Sequence, residues 1–535
     1  ALAAGNIVIL KPASATVLGA WELCQCFWRA GVPKTVLQFT PCPGRGTGAR
    51  LVAHPDVDAV ILTGGTETAL NLLKARPEMR LFAETGGKNA IIVTALSDRE
   101  LAIKHIVHSA FSHSGQKCSA TSLLLLEAEV YDDPQFKRTL CDAVKSLAVG
   151  SAWELQTRVG PLIRPPSGEL EEALKTLDPG ESWAVRPSRV GENPNLWSPG
   201  VKYGVQPGSG THRTEFFGPV LGVMRFERLD EAIDLVNQTG YGLTSGLQSL
   251  DEREQAEWKA GVRAGNLYIN RGTTGAVVLR QPFGGMGKSV FGPGLKAGGP
   301  NYVAQFMRFE ENTTEIDPAE HGRGVEEVEP GGPLTHPSGT LSPTGGEGWG
   351  KGEFAIHWNH PEPKRPPSLI HLGAFRQALL GWSHHAQPSP IPAGEIRAPL
   401  PRLLRAMASY ERCWREEFGS EHDHFRLLGQ DNFRRYLPFR EIRVRVGPED
   451  GLFNIFARVC AARITGARVI VSTAKGAVPA AVTLLDELTN SWAAAIEFVE
   501  ESDEKLAEVV RDFPPHAMER VRYAAPHLVP AMVRA

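Results

Sequence analysis

The sequence predicts an α/β fold with parallel sheets, and three observations predict it. Short β-branched runs alternate with helical stretches from the first residues onward, glycine-rich turns follow several of those runs, and 535 residues are too many for one hydrophobic core. Residues 7–10, 36–39, 57–62 and 90–93 read as strands, with helices over 15–30 and 48–54 between them. That rhythm is the βαβ unit, which puts ligands at the carboxyl ends of the strands. A helix over 98–111, a strand over 122–127 and a helix over 229–238 carry the pattern to about residue 270.

The character changes after residue 310. Residues 310–329 hold eight acids and one arginine, and 12 of the 23 residues from 330 to 352 are proline or glycine, which is linker composition. The expected plan is a partial dinucleotide domain over 1–86, a catalytic domain over 87–287, a return to the first domain over 288–310, a linker over 311–353 and a C-terminal domain over 354–535. Ala1 is not a methionine and the first residues already read as a buried strand, so the chain is expected to begin inside a domain. Residues 4–11 resemble 465–472, a likeness that chance and duplication explain equally well.

Net charge is −3, so nothing suggests a nucleic-acid groove or a polybasic membrane patch. No apolar run reaches bilayer length. The seven cysteines include no CxxC pair, which fits free thiols in a reducing, cytoplasmic setting. Cys24 and Cys26 lie two apart on a predicted helix and are expected to be buried packing residues.

Cys118 stands in Gly115-Gln116-Lys117-Cys118-Ser119-Ala120, between a glycine turn and a strand and beside a cation. A free thiol is only a few per cent thiolate at neutral pH, and a lysine or backbone N–H groups nearby would raise that fraction. On its own such a cysteine is more often a packed core residue. Glu84, in Glu84-Thr85-Gly86-Gly87-Lys88-Asn89, ends a strand on a double-glycine turn. An apolar pocket would raise its pKa and suit it to act as a general base on water; alone it would be a turn residue. Thr63-Gly64-Gly65-Thr66-Glu67 follows a strand and opens a helix, so free N–H groups and the helix dipole suit a pyrophosphate there. Lys11 closes the first strand as a ribose or phosphate candidate, and Glu215-Phe216-Phe217-Gly218-Pro219 offers a carboxylate for ribose hydroxyls and an aromatic edge for a nicotinamide. Gly44-Arg45-Gly46-Thr47-Gly48 imitates a dinucleotide fingerprint but reads as a tight turn into the helix carrying Leu51 and His54. His357-Trp358-Asn359-His360 and His384-His385 lack acids or cysteines at ligand spacing, so no metal is assigned.

These motifs, weak singly, fall in one order: Lys11-Pro12, His54-Pro55, Thr63-Gly64, Glu84 in Glu-x-Gly-Gly-Lys, Cys118 in Gly-Gln-Lys-Cys, Glu215 in Glu-x-Phe-Gly-Pro, and Pro282-Phe283-Gly284-Gly285. With 34 residues from Glu84 to Cys118 and 97 from Cys118 to Glu215, residues 1–310 resemble the aldehyde dehydrogenase superfamily. Residues 265–276, Arg280-Gln281-Pro282 and residues 296–302 are similar to the 1-pyrroline-5-carboxylate dehydrogenases, and most of all to the dehydrogenase half of bacterial bifunctional proline utilisation proteins.

The resemblance implies the aldehyde dehydrogenase fold, a Rossmann-like NAD domain plus an α/β catalytic domain. Here it would be N-terminally truncated and followed by a C-terminal α/β domain resembling a degenerate aldehyde dehydrogenase. It implies NAD-dependent oxidation of L-glutamate γ-semialdehyde to L-glutamate, with Cys118 as nucleophile and Glu84 as base. Lys11, Ser14, Gly64, Gly65, Thr66, Glu215 and Phe217 are the implied cofactor contacts. Ser119, Thr274, Gly275, Ala276 and Phe283 are the implied substrate contacts, the turn at 273–276 presenting backbone N–H groups to the remote carboxylate. Ser14 and Gly65 depart from the glutamate and serine common in the family, and the loss of that glutamate leaves the choice of NAD over NADP open. The family's oxyanion asparagine would lie upstream of Lys11, so the chain by itself is expected to be impaired. FAD is implied only if a proline dehydrogenase domain precedes this chain. That domain and a homo-oligomer are the implied partners, without nucleic acid, and a longer parent could sit peripherally at the inner membrane. Two other readings stand beside this one: a hydrolytic dehydrogenase for another aldehyde such as succinate semialdehyde, and a non-catalytic scaffold. The scaffold reading is preferred for residues 354–535, where neither catalytic motif recurs and Ser472 stands where Lys11 would.

Overall fold

The computed structural model describes residues 1–277, 280–309, 367–384, 391–424, 426–513, 519–525 and 528–534. Ala1–Phe306 and Pro367–Ala535 together make one compact unit; of Met307–Pro366, only 307–309 are described. The expected linker, the expected onset of order near Phe354 and the histidines at 357, 360 and 385 lie outside the described residues, as does the side chain of His384.

Strands β1 (Val8–Leu10) and β2 (Leu37–Phe39) pair in parallel, as do β3 (Ala59–Gly64) and β4 (Arg80–Thr85). β3 begins and ends two residues later than the β-branched run. Val57 is held in a turn by its N–H on the His54 carbonyl (3.0 Å), while β4 continues far enough to pair Thr63 with Glu84 and Gly64 with Thr85. The intervening helices are Val17–Arg29 and Ala49–Ala53; His54 lies just beyond the second in extended conformation rather than on it. Cys24 is buried but Cys26 is exposed, against expectation, because residues two apart point to different faces of a helix.

The chain continues through β5 (Asn89–Val93), β6 (Thr121–Glu127), β7 (Ser182–Val185), β8 (Gly200–Tyr203), β9 (Val220–Phe226), β10 (Tyr241–Gly242), β11 (Thr244–Gln248), β12 (Asn266–Ile269), β13 (Met286–Gly287) and β14 (Val290–Phe291). Seven of these form one sheet in the order β12-β11-β5-β6-β9-β8-β7, parallel except for β7 on β8. Side chains alternate between its faces. Ile91, Val93, Leu124 and Leu126 pack under the helices Arg99–Phe111 and Pro134–Lys145. Ala90, Ile92, Leu123 and Leu125 pack under Leu229–Gln238 and Glu252–Gly261. A sheet covered on both faces explains why its strands read as unbroken apolar runs, each large buried side chain contributing about 1.5–3 kcal/mol. Asp98 starts the first of these helices by accepting from the Leu101 N–H at 3.0 Å. β14 then pairs antiparallel with β4, Val290 opposite Glu84, so the chain returns to its first region after residue 288.

The C-terminal part holds β15 (Glu441–Arg445), β16 (Arg468–Thr473), β17 (Ile496–Glu500) and β18 (Glu519–Arg522), all parallel in the order β17-β16-β15-β18. In chain order this is 3-2-1-4, half of a Rossmann sheet with its switch point between β15 and β18. Helices Pro367–His384, Leu400–Cys413, Leu452–Ile464 and Ala480–Thr489 supply its apolar core. The likeness of residues 4–11 to 465–472 has a local cause: Gly5 (φ 79°) and Gly466 (φ 89°) both take the left-handed conformation that leads into a parallel strand. Among the described residues no helix is long and apolar enough to cross a membrane.

Candidate active site

Cys118 is half-buried at the end of a strained turn. His113 (φ 54°), Ser114 (φ 55°) and Gly115 (φ 68°) are successively left-handed, and a Cβ at Gly115 would run into the Gly218 carbonyl. The nucleophile loop therefore lies directly against the loop that carries Glu215. Two side chains pin it: Ser114 Oγ donates to the Gly160 carbonyl at 2.7 Å, and Gln116 Oε1 accepts from the Ile163 N–H at 2.9 Å. The clamp on Cys118 itself is Asn89. Its Nδ2 donates to the carbonyls of Cys118 (2.7 Å) and Ala120 (2.9 Å), while its Oδ1 accepts from the Thr244 N–H (3.0 Å), tying the loop to β5 and β11.

The thiol departs from expectation. Burial pushes the Cys118 pKa up, the Glu84 carboxylate adds to the rise, and the opposing pull of Lys117 and the Ser119 N–H is outweighed. Glu84 lines a cavity of about 160 Å³ with Thr63, Phe291 and Tyr302, and burial raises its carboxyl above the usual range, the direction expected of a base. Three residues on, Gly87 donates its N–H to Glu215 Oε1 at 2.8 Å, and a Cβ at Gly86 would run into the same carboxylate. Close approach of Glu215 thus requires the glycine at 86, and close approach of the Asn89 side chain requires the one at 87. Burial raises the Glu215 carboxyl, with the Gly87 N–H and Lys88 pulling it down.

The expected cofactor residues fall into two groups. Gly65 precedes the helix Thr66–Ala75, no side chain caps that helix, and nothing lies within 4 Å of a Cβ built on Gly65, so the N–H groups of Thr66 and Glu67 are open to an anion, while that of Thr68 donates to the Gly65 carbonyl (3.0 Å). Thr66 uses its hydroxyl on the Lys288 carbonyl (3.1 Å). Phe217 is partly exposed in the left-handed region (φ 52°), which turns its ring outward beside Glu215. The open helix terminus, the glycine cradle and an outward aromatic together fit a nicotinamide dinucleotide. Lys11 and Ser14 stand apart: Lys11 Nζ donates to the Pro12 carbonyl (2.9 Å), and Ser14 Oγ accepts from Arg164 (2.6 Å), a guanidinium beside the position where the resembling family often has an acid.

On the substrate side, Thr273 Oγ1 donates to the Ser119 carbonyl (3.2 Å) and pairs with Thr121 Oγ1 (2.9 Å), fastening the turn that holds Thr274, Gly275 and Ala276 to the residue after the thiol. Gly275 (φ 90°) has open space around it. Phe283 exchanges both backbone hydrogen bonds with Ala297 (3.0 and 2.9 Å). Asn89, Thr121 and Gln116 were not singled out from the sequence; Asn89 closes the Glu-x-Gly-Gly-Lys motif, which was the available signal.

In the C-terminal sheet the matching crevice is filled from within. Asp450 accepts from the Gly447 N–H (2.8 Å) and pairs with Arg458 (2.6 Å) where a pyrophosphate would meet the helix Leu452–Ile464. Arg443 pairs with Glu501 (2.6 Å), and Arg445 reaches Ser472, the Thr473 carbonyl and Asp503 (each 2.9 Å).

A clamped thiol near a half-buried carboxylate and a glycine-cradled acid can carry covalent thiol chemistry. The aldehyde dehydrogenase family model matches residues 1–311, more than half of the chain, and the chain belongs to that family. Within it, the chain is similar to 1-pyrroline-5-carboxylate dehydrogenase of Geobacillus thermodenitrificans, 36% identical over 320 residues that make up 58% of this chain and 61% of that protein. It spans about three-fifths of the length of the curated relatives it matches. Among solved structures, proline utilization A from Corynebacterium freiburgense superposes with a TM-score of 0.69 at 36% identity, over 94% of this chain and 45% of that one. The 1-pyrroline-5-carboxylate dehydrogenase from Thermus with bound NAD gives 0.52 at 32% identity, over 57% of this chain and 60% of that one. The first likeness extends into the C-terminal part, beyond the reach of the family model.

Proposed function

We propose that residues 1–310 provide the active site for NAD-dependent oxidation of L-glutamate γ-semialdehyde to L-glutamate in proline catabolism. The observation that carries this reading is the turn from Glu84 to Asn89, which holds the nucleophile loop through Asn89 and the cofactor acid Glu215 through Gly87. Gly64, Gly65, Thr66, Glu215 and Phe217 would hold the dinucleotide, which when bound supplies the hydride acceptor. Cys118 gives up its proton and its sulfur adds to the aldehyde carbon; after hydride loss the substrate is left as a thioester. The Cys118 N–H is one donor to the oxyanion. Glu84 then takes a proton from water, the hydroxide adds to the thioester carbon, and the acid leaves as the thiol is regenerated. Ser119 and the turn at 273–276 would hold the end of the substrate remote from the aldehyde.

The C-terminal part would act as a lid and assembly element rather than a second catalytic site. Its support is the filled crevice and two contacts with the dehydrogenase: Arg271 donates to Gln430 Oε1 at 3.3 Å, and Arg435 donates to the Lys259 carbonyl. A proline dehydrogenase domain, with FAD, would lie on the same chain of a longer parent or act as a partner, and the assembly would be a homo-oligomer in the cytoplasm.

The test uses Glu84→Gln in the parent protein. With glutamate semialdehyde and NAD it should release about one equivalent of NADH per site and then stall at the thioester. Steady turnover at the wild-type rate would remove Glu84 from the role of base, and no preference for glutamate semialdehyde over succinate semialdehyde would remove the substrate assignment.

A further inference from the structure

Behind Glu215 lies a buried charged group that the reaction above does not use. Lys88 is fully enclosed, and its Nζ has no hydrogen-bond partner among the described residues. It stands over the Phe216 ring at 4.6 Å, and Lys202 approaches the same ring at 5.9 Å. Lys202 is accounted for: it pairs with Glu181 at 3.2 Å, donates to Thr211 Oγ1 at 3.3 Å and stands over Trp183. Lys88 has no such partner. A buried, unsatisfied ammonium is costly enough that a merely structural position would be filled better by an apolar side chain of the same length. It occupies the residue after the two glycines that cradle Glu215.

We propose that Lys88 is a positioning residue for cofactor capture: its buried charge keeps the Glu215 carboxylate ionised within the Gly86–Gly87 cradle, ready to accept from the cofactor's ribose hydroxyls. The proposal rests on the reading of Glu215 as a cofactor contact. The surroundings explain why such a device is needed. Burial favours the neutral acid of Glu215, and a neutral acid, with one oxygen protonated, accepts from a hydroxyl pair poorly. The Gly87 N–H supplies one stabilising contact, and Lys88 supplies the countercharge. Burial in turn pushes the Lys88 amine down to about 7; Glu215 and Glu181 pull it up, and Lys202 pushes it further down. His212, on the helix Gly210–Arg213, is the other titratable group within reach of this charge. Lys88 and Glu215 thus each pull the other toward its charged form, against the burial that opposes both.

The test is direct binding of NAD to the ligand-free parent protein by calorimetry, with thermal melting alongside. Lys88→Met should weaken binding about tenfold, the loss expected for one charge-assisted contact, while leaving the melting temperature equal or higher. The stability sign follows from the amine. Its folded value of about 7 lies below the ordinary 10.5, so the penalty of burying the charge is full below about pH 7 and gone above 10.5. Wild-type melting should therefore rise across that window, and the methionine variant should lack the rise. Glu215→Gln provides the control: it should weaken binding on its own, and adding Lys88→Met to it should cost nothing further. Unchanged binding by Lys88→Met, or an equal loss in the Glu215→Gln background, overturns the proposal. Should Lys88→Met not fold, Lys88→Gln in the same cycle decides the matter by the same two outcomes. If Glu215→Gln binds NAD as well as wild type, the cofactor reading of Glu215 fails, and the Lys88 proposal fails with it.

Discussion

At the carboxyl ends of β3 and β4 the chain keeps glycines; toward the carboxyl end of β15 it keeps arginines. Both regions are parallel α/β sheets, and both direct strand ends toward a helix N-terminus, the geometry that in general receives a phosphate-bearing ligand. In the first, Gly65 leaves the helix N-terminus open, Gly86 admits the Glu215 carboxylate and Gly87 donates its N–H to it. In the second, Asp450 satisfies the Gly447 N–H, and Arg443 and Arg445 are consumed by Glu501, Asp503 and Ser472. The same architecture is a site in one place and a closed core in the other. What decides it is the side chains at the crevice, not the fold.

The comparison can be broken from either side. The largest expected effect is on the open side: Cys118→Ala should lower aldehyde oxidation by at least about 10³-fold while cofactor binding and melting temperature persist. NADH absorbance and calorimetry read the two together, and residual turnover near wild type would mean that the thiol is not the nucleophile. On the closed side, Arg443→Met leaves Glu501 buried with Ser472 as its remaining neighbour, and should cost about 3 kcal/mol of stability, seen as a lower urea midpoint, without a change in kcat. An unchanged midpoint would show that water already reaches the crevice. The smallest effect sharpens the substrate side. Gly275→Val, at a position with φ 90°, should raise KM for glutamate semialdehyde about tenfold and leave a plain aliphatic aldehyde nearly unaffected. Equal loss on both aldehydes would count against the turn as an anchor.

Much of the open side was legible in the residue order. The strands of the seven-stranded sheet announce themselves because both faces are covered, so Ala90–Val93 and Leu123–Leu126 read as continuous apolar runs. The helix Leu229–Gln238 follows its expected bounds. Cys118, Glu84 and Glu215 stand out through motif spacing. The supports do not. Asn89 reaches Thr244 across 155 residues and Thr121 reaches Thr273 across 152, and no local pattern encodes a hydrogen bond of that span. The direction of the Cys118 shift was missed for the same reason: Lys117 is adjacent in sequence, whereas the burial that outweighs it is a property of the folded chain. Lys11 and Ser14 were grouped with the other cofactor residues, yet their side chains engage Pro12 and Arg164. The closed crevice was legible only as the absence of two motifs; Arg443 and Arg445 share one strand, but the acids that pair with them, Glu501 and Asp503, lie 58 residues further on.

The raised Cys118 thiol has one more consequence, for the durability of the protein. Oxidation by peroxide and capture by electrophiles both proceed through the thiolate. Cysteine left as sulfinic acid is lost, with rescue confined to a few dedicated systems. By favouring the neutral form of the sulfur, burial and the neighbouring Glu84 slow that damage.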